Sequence, residues 1–295
     1  MAFTPVFGHE CSFGLAASAP TTKAVEVQSF GLVGSIGSVR NQGMRGTRTH
    51  NKYGIRTGLK TSQGPIVLEP RVDELAVLLP FILGGTAIGT SYPLAEVLPS
   101  HVWDVDSVSD VYRFTGVYVN RATFRSSAGQ PMSLTLECIG SDWTNDAITF
   151  PSISGTYSVL APFMHYDLVL TVDAVAHKPD DFTLVIDNRL SQIFRNSQTP
   201  SFIKPADRII TLGMTFGNST DEQTLWALTA ITDAALVATF SQATTSLAFT
   251  LPTAQTMQET PRVNGRPTEV TRNFQFQARA TAALGELTTV LDSTP

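Results

Sequence analysis

Alternation at period two constrains this chain more than any other feature. In MSLTLECIG, an extended backbone puts Leu134, Leu136 and Cys138 on one face and Ser133, Thr135 and Glu137 on the other. DVYRFTGVYVNRATFRS, YDLVLTVDAVA, DFTLVIDN, DRIITLGMTF and TRNFQFQARA are also rich in Val, Ile, Thr and Phe, and several alternate in the same way. Strands of this kind suit antiparallel sheets with one covered face. The expectation is a mainly β chain, whose 295 residues suffice for one large domain or two ordinary ones.

Two segments break the alternation and read as helices. In the first, Asp73 is placed to cap the start, and Leu75, Leu78, Leu79 and Ile82 follow at helical spacing. In the second, NSTDEQTLWALTAI, Ser219 and Glu222 fit a capping box, and Leu225, Leu228 and Ile231 form an apolar stripe. Asp73-Glu74 and Asp221-Glu222 lie 148 positions apart. Each pair follows a stretch with several basic residues and a β run. Farther on, GQPMSLTLECIG and GRPTEVTRNFQF begin alike, with prolines 136 apart. These parallels predict a duplication, with modules at 1–150 and 151–295. The first module would carry a basic arm at 40–64 and an insertion at 84–107. Chance likeness between two ordinary strand–helix units is the competing reading.

Charge is sparse and segregated. Charged residues make up 15% of the chain and hydrophobic ones 42%, against a usual charged quarter. A surface so poor in charge is economically explained if other copies of the chain cover much of it. A Ser/Thr-rich β protein with an uncharged polar surface is the alternative. No acid occurs between Glu26 and Glu69, yet Arg40, Arg45, Arg48, Lys52, Arg56 and Lys60 all fall there. Then Glu69, Asp73, Glu74, Glu96, Asp104, Asp106 and Asp110 face Arg71 alone. Such separation suits head-to-tail association of identical subunits. The basic arm has only Tyr53 as a stacking aromatic, which disfavours nucleic-acid binding by that segment. A solvated loop is one reading of it, and a loop ordered on a neighbouring subunit is the other.

Recognisable catalytic and cofactor patterns are missing. There is no P-loop and no G-x-S-x-G, and the glycines of GLVGSIG at 31, 34 and 37 have the wrong spacing for dinucleotide binding. The adjacent His9, Glu10 and Cys11 cannot easily converge on one metal. Asp104, Asp106 and Asp110 lack the glycine and terminal glutamate of a calcium loop. No catalytic, cofactor or metal residue is therefore nominated. Cys11 and Cys138 are too few for a disulfide framework, which points to a reducing compartment. The first residues lack the basic stretch of a signal peptide, and the longest apolar run, LAVLLPFILGG, is about half a membrane span.

In element order most of the chain resembles the tail tube proteins of long-tailed bacteriophages. GHECSFGLAASAP is similar to that family's opening, and SFGLVGSIGSVRNQG with the basic arm resembles its first strand and long loop. PIVLEPRVDELAVLLPFILGG resembles the strand–helix unit that follows, and LVIDNRL and DRIITLGMTF resemble later strands. The resemblance implies duplicated tail-tube-type β-sandwich or barrel modules, each with a short flanking α-helix. It also implies a structural virion protein without enzymatic activity or cofactor, assembled in the host cytoplasm into stacked rings of the tail. Double-stranded DNA would pass through the channel. The implied partners are further copies of the chain, the tail terminator, the tape measure and the distal tail protein, with no membrane. Arg40, Arg45, Arg48, Lys52, Arg56 and Lys60 would form the inter-ring arm, and Glu69, Asp73 and Glu74 its acidic recipients. Two modules per chain favour a trimeric ring with pseudo-sixfold symmetry over a true hexamer. A wall that does not retain DNA should be neutral or acidic, so Glu137 is expected to face the channel. A terminator or distal hub protein, or an all-β carbohydrate-binding or hydrolytic protein, are the alternatives.

Overall fold

The computed structural model describes residues 8–19, 21–40, 55–108, 110–145, 150, 157–217, 225, 233–258, 271–281 and 285–293. The alternating segments are strands, as their pattern requires. In the first half, β1 (Ser12–Ala16), β2 (Lys23–Ala24), β3 (Ser29–Phe30), β4 (Val33–Arg40) and β5 (Ile55–Leu68) precede helix α1 (Val72–Leu83). After it come β6 (Ser91–Pro93), β7 (His101–Asp106), β8 (Val111–Ser127) and β9 (Ser133–Thr144). The second half contributes β10 (Leu168–Val172), β11 (Val175–His177), β12 (Asp181–Asp187), β13 (Leu190–Ile193) and β14 (Phe202–Pro205). It ends with β15 (Ile209–Gly217), β16 (Asp233–Gln242), β17 (Thr245–Gln258), β18 (Thr271–Ala278) and β19 (Thr288–Asp292).

Every strand pairing among the described residues is antiparallel. A ribbon of eight strands runs β4–β5–β9–β8–β12–β15–β18–β17. The long strands β8 and β17 leave this ribbon at bulges. The first part of β8 pairs with β7, which pairs with β1 and then β2. The first part of β17 lies between β16 and β19, with β10, β11 and β6 beyond them. These flanking strands form a second layer over one face of the ribbon. Phe124 of β8 meets Phe249 of β17 at 5.0 Å between ring centroids, and Phe182 of β12 meets Phe240 of β16 at 5.6 Å. Burying each such ring contributes about 1.5–3 kcal/mol. The result is a sandwich-like mainly β fold; among the described residues the hydrogen-bonded network closes into no barrel.

The two halves use the same order of pairings. The first half reads β2–β1–β7–β8–β9–β5–β4 and the second β11–β10–β16–β17–β18–β15–β12. β12 then pairs with the last part of β8 over seven residue pairs, joining the halves edge to edge.

Helix α1 buries Leu75, Leu78, Leu79 and Ile82, the stripe its spacing predicts. Its start differs from expectation. Arg71 is the N-cap and Asp73 already lies within the first turn, so Asp73 turns outward to Lys23 at 2.6 Å. Glu74 takes over the terminus, accepting the backbone N–H groups of Arg71 (3.0 Å) and Glu26 (3.2 Å). A carboxylate at this position satisfies donors that a helix start leaves unpaired. The second predicted helix, with Ser219, Asp221 and Glu222, lies outside the described residues except for Leu225, which is helical and buried. The segment 84–107 also contains regular structure that its composition does not announce. Its last part is β7, hydrogen-bonded on both edges, with His101 to Asp104 buried. The sequence hid this strand because both its faces are covered, which removes the alternation.

Candidate assembly surface

The ribbon has two chemically distinct faces. Residues directly opposite in antiparallel strands share a face, so the register defines rows across it. One row reads Leu134, Phe124, Leu184, Leu212 and Phe276, all buried against the second layer. The neighbouring row on the other face reads Thr135, Thr123, Val185, Thr211, Gln277 and Gln255. Beside it run Ser133, Arg125, Thr183, Gly213 and Gln275. This outer face is an apron of hydroxyls and amides with few charges.

Glu137 lies on this face, in a row with Arg121, Asp187 and Ile209. Arg121 sits between two carboxylates, 2.8 Å from Asp187 and 3.4 Å from Glu137. The Asp187 hydrogen bond and the nearby Glu137 charge raise the guanidinium above its ordinary pKa, so the cation is permanent but compensated. Arg189 borders the same patch and lies 3.6 Å from Asp207, while Arg125 lies farther along the face, opposite Thr183. Behind Glu137, burial pushes the Cys138 thiol up to about 12, leaving it protonated and unreactive. The alternation of MSLTLECIG puts Glu137 on the polar face of its strand, but the sequence reading named neither Arg121 nor Asp187. Extending the phase of MSLTLECIG to RATFRS and TLVID would have located them.

The expected basic arm is not a loop throughout. Positions 33–40 and 55–68 form a hairpin stem, with Arg40 opposite Ile55 and Val39 opposite Arg56. Arg40 and Arg56 are exposed there. Arg45, Arg48 and Lys52 fall in 41–54, outside the described residues. Lys60 is engaged within its own chain: its ammonium lies 2.5 Å from Asp142 and over the Trp143 ring at 5.2 Å. The stem's glycine pattern has a steric cause. Gly34 passes directly beneath the Trp143 indole, where any Cβ would collide with the ring. A second support comes from the loop after β13, where the Gln198 carbonyl accepts the Lys60 N–H at 2.7 Å.

Despite this anchoring the stem projects apolar residues into solvent. Val33 is 63%, Ile36 53% and Val39 61% exposed, and Ile55 and Leu59 are about as open. Among the described residues β4 has β5 as its sole strand partner. A bare edge bearing exposed β-branched residues is a template for another strand. Of the three expected acidic recipients, Glu69 accepts a hydrogen bond from Gln28, and Asp73 pairs with Lys23. Burial raises the Asp73 carboxyl, but hydrogen bonds from Lys23 and Ser158 outweigh it and hold the group low. Glu74 has no exposed surface, and burial pushes its carboxyl up. Occupied at the helix start, Glu74 is not presented to a neighbour.

Asp104 does not behave as a cation ligand. It is fully buried, bridged by Arg113 through bonds of 2.6 and 2.8 Å, and accepts the Thr21 hydroxyl. No helix among the described residues is long and apolar enough to cross a membrane. No curated protein matches the chain in sequence. A family model described as phage tail tube protein matches residues 6–278 of the 295.

Proposed function

This chain belongs to the phage tail tube protein family, and on that premise we propose that its copies close edge to edge into rings that stack into a hollow tail tube. That family is structural, which agrees with a role in the virion tail rather than in catalysis. The observation carrying the proposal is the eight-strand ribbon, apolar on one face, polar on the other and open at the β4 edge. Three such ribbons, one per chain, make a barrel of twenty-four strands, wider than the roughly 16–18-stranded barrels that already hold a water channel. A trimer with pseudo-sixfold symmetry follows from the repeated order of pairings in the two halves. A hexamer would place one half of each chain outside the barrel.

The polar face, with Glu137, lines the channel in this arrangement. DNA carries about one charge per 1.7 Å of axis and is held by basic surfaces without regard to sequence. Compensating Arg121 with Asp187 and Glu137 keeps such a wall from gripping its cargo. The hairpin carrying Arg40, Arg45, Arg48, Lys52 and Arg56 extends toward the adjacent ring, where Glu69 and Asp73 are its acidic counterparts. Assembly takes place in the host cytoplasm, together with terminator, tape measure and distal tail proteins. Negative-stain microscopy of the concentrated purified chain tests this: hollow filaments are expected. Protein that stays monomeric at every concentration overturns the proposal, and rings that never elongate reassign the chain to a cap or hub.

A further inference from the structure

The strand edges of the two halves can be compared position by position. β3 and β4 sit on β5 as β12 sits on β15. Ser29 and Phe30 oppose Val67 and Ile66, while Asp181 and Phe182 oppose Thr215 and Met214. Ser35 opposes Thr61, while Asp187 opposes Ile209. The two segments, SFGLVGS and DFTLVID, share Phe, Leu and Val at matching places. From Thr61 to Ile209 is 148 positions, the separation of Asp73 from Asp221.

The long strands correspond with equal detail. Between β7 and β8 the register shifts from His101 opposite Val117 to Trp103 opposite Phe114. Between β16 and β17 it shifts from Ala234 opposite Ala254 to Leu236 opposite Leu251. Each bulge sets two residues of the long strand against one of its partner. In β8 Gly116 takes a positive φ of 58° at this place, and in β17 it falls at Pro252-Thr253. Past the bulge, Cys138 opposes Val119 and, after a further register shift at Asn120 that β17 lacks, Glu137 opposes Arg121; in β17 Phe276 opposes Thr256 and Gln275 opposes Met257. Met257 thus holds the place of Arg121, and Gln258 that of Ala122.

Among the described residues, one edge of this scheme lacks its counterpart. β12 pairs with β8 through Asp187 opposite Arg121 and Ile186 opposite Ala122. The matching edge of β4 is open, and β17 continues past its last β16 partner, Gln255 opposite Asp233. Resting on the tube reading above, we propose that the β3–β4 edge of one copy is covered by the end of β17 from a second copy. The strands run antiparallel, with Ser35 opposite Met257 and Gly34 opposite Gln258. The internal junction is repeated between chains, and the Arg121–Asp187 ion pair is replaced there by two uncharged residues.

Paired cysteines test the register, because a disulfide needs Cα atoms about 4.4–6.8 Å apart. In a Cys11→Ser background, Ser35→Cys with Met257→Cys is expected to give reducible covalent multimers on mild oxidation of filaments. Either single variant, or Ser38→Cys with Met257→Cys, should give none. In the unsubstituted protein, hydrogen exchange of the β4 amides should slow at least tenfold on assembly, which guards against a perturbing cysteine. Filaments that form without the crosslink and without protection of β4 overturn the register and leave the tube reading standing. A chain that never assembles overturns both.

Discussion

His101 shows how strongly one side chain here depends on its surroundings. It has no exposed surface, its ring packs 4.6 Å from Phe81, and neither ring nitrogen has a hydrogen-bond partner. Burial lowers its pKa to about 3, whereas an unfolded histidine titrates near 6.5. Between those values the unfolded chain binds a proton that the folded chain refuses, so stability falls as pH falls. The slope is about 1.4 kcal/mol per pH unit, or about 2 kcal/mol between pH 7 and pH 5. His101→Phe should flatten this part of the profile, read as urea midpoints at the two pH values. An unchanged slope would assign the acid sensitivity to other groups. At this scale the sequence was a poor guide. Nothing in HVWDVD signals a strand covered on both faces, so the burial of His101 has no mark in the sequence.

Among the elements, helix α1 and the β4–β5 stem most clearly separate what local pattern reveals from what packing decides. The leucine stripe of α1 was legible because burial on one helical face leaves a period of its own. Its capping was misread, since Asp73 and Glu74 are adjacent acids and only the approach of Glu26 from the β2 side selects Glu74. Glu74→Ala should remove acceptors for two backbone donors and cost about 1–2 kcal/mol in chemical denaturation; Asp73→Ala, at a half-exposed pair, should cost less. From residue pattern alone, without the family resemblance, the stem was illegible for a related reason. Val33, Ile36 and Val39 alternate poorly around the glycines, and Gly34 is required by Trp143, more than a hundred residues away in sequence. The alternating strands β9, β12, β15 and β18, and with them the polar face, could be read directly from residue phase. The ion pair at Arg121 could not be read so directly, because Asp187 comes from a strand 66 positions away.

For the whole molecule, the proposed tube would need two kinds of contact: strand edges that close a ring, and the segment 41–54 that reaches from one ring to the next. Replacing residues 41–54 by Asn-Gly would link Arg40 to Ile55, which already face each other, through a two-residue hairpin turn. The expected product is a folded subunit that forms rings but no filaments in negative stain; normal filaments would remove the tip from inter-ring contact. The register of the long strands depends on bulges that leave no mark in composition. The β12–β8 ladder has a mechanical corollary. Because a peptide chain tethers its two sides, that seam reforms at a fixed local concentration however dilute the solution becomes. Stress on a cylinder of such subunits would therefore fall on the untethered seams, and fracture would release whole double-module segments rather than single modules.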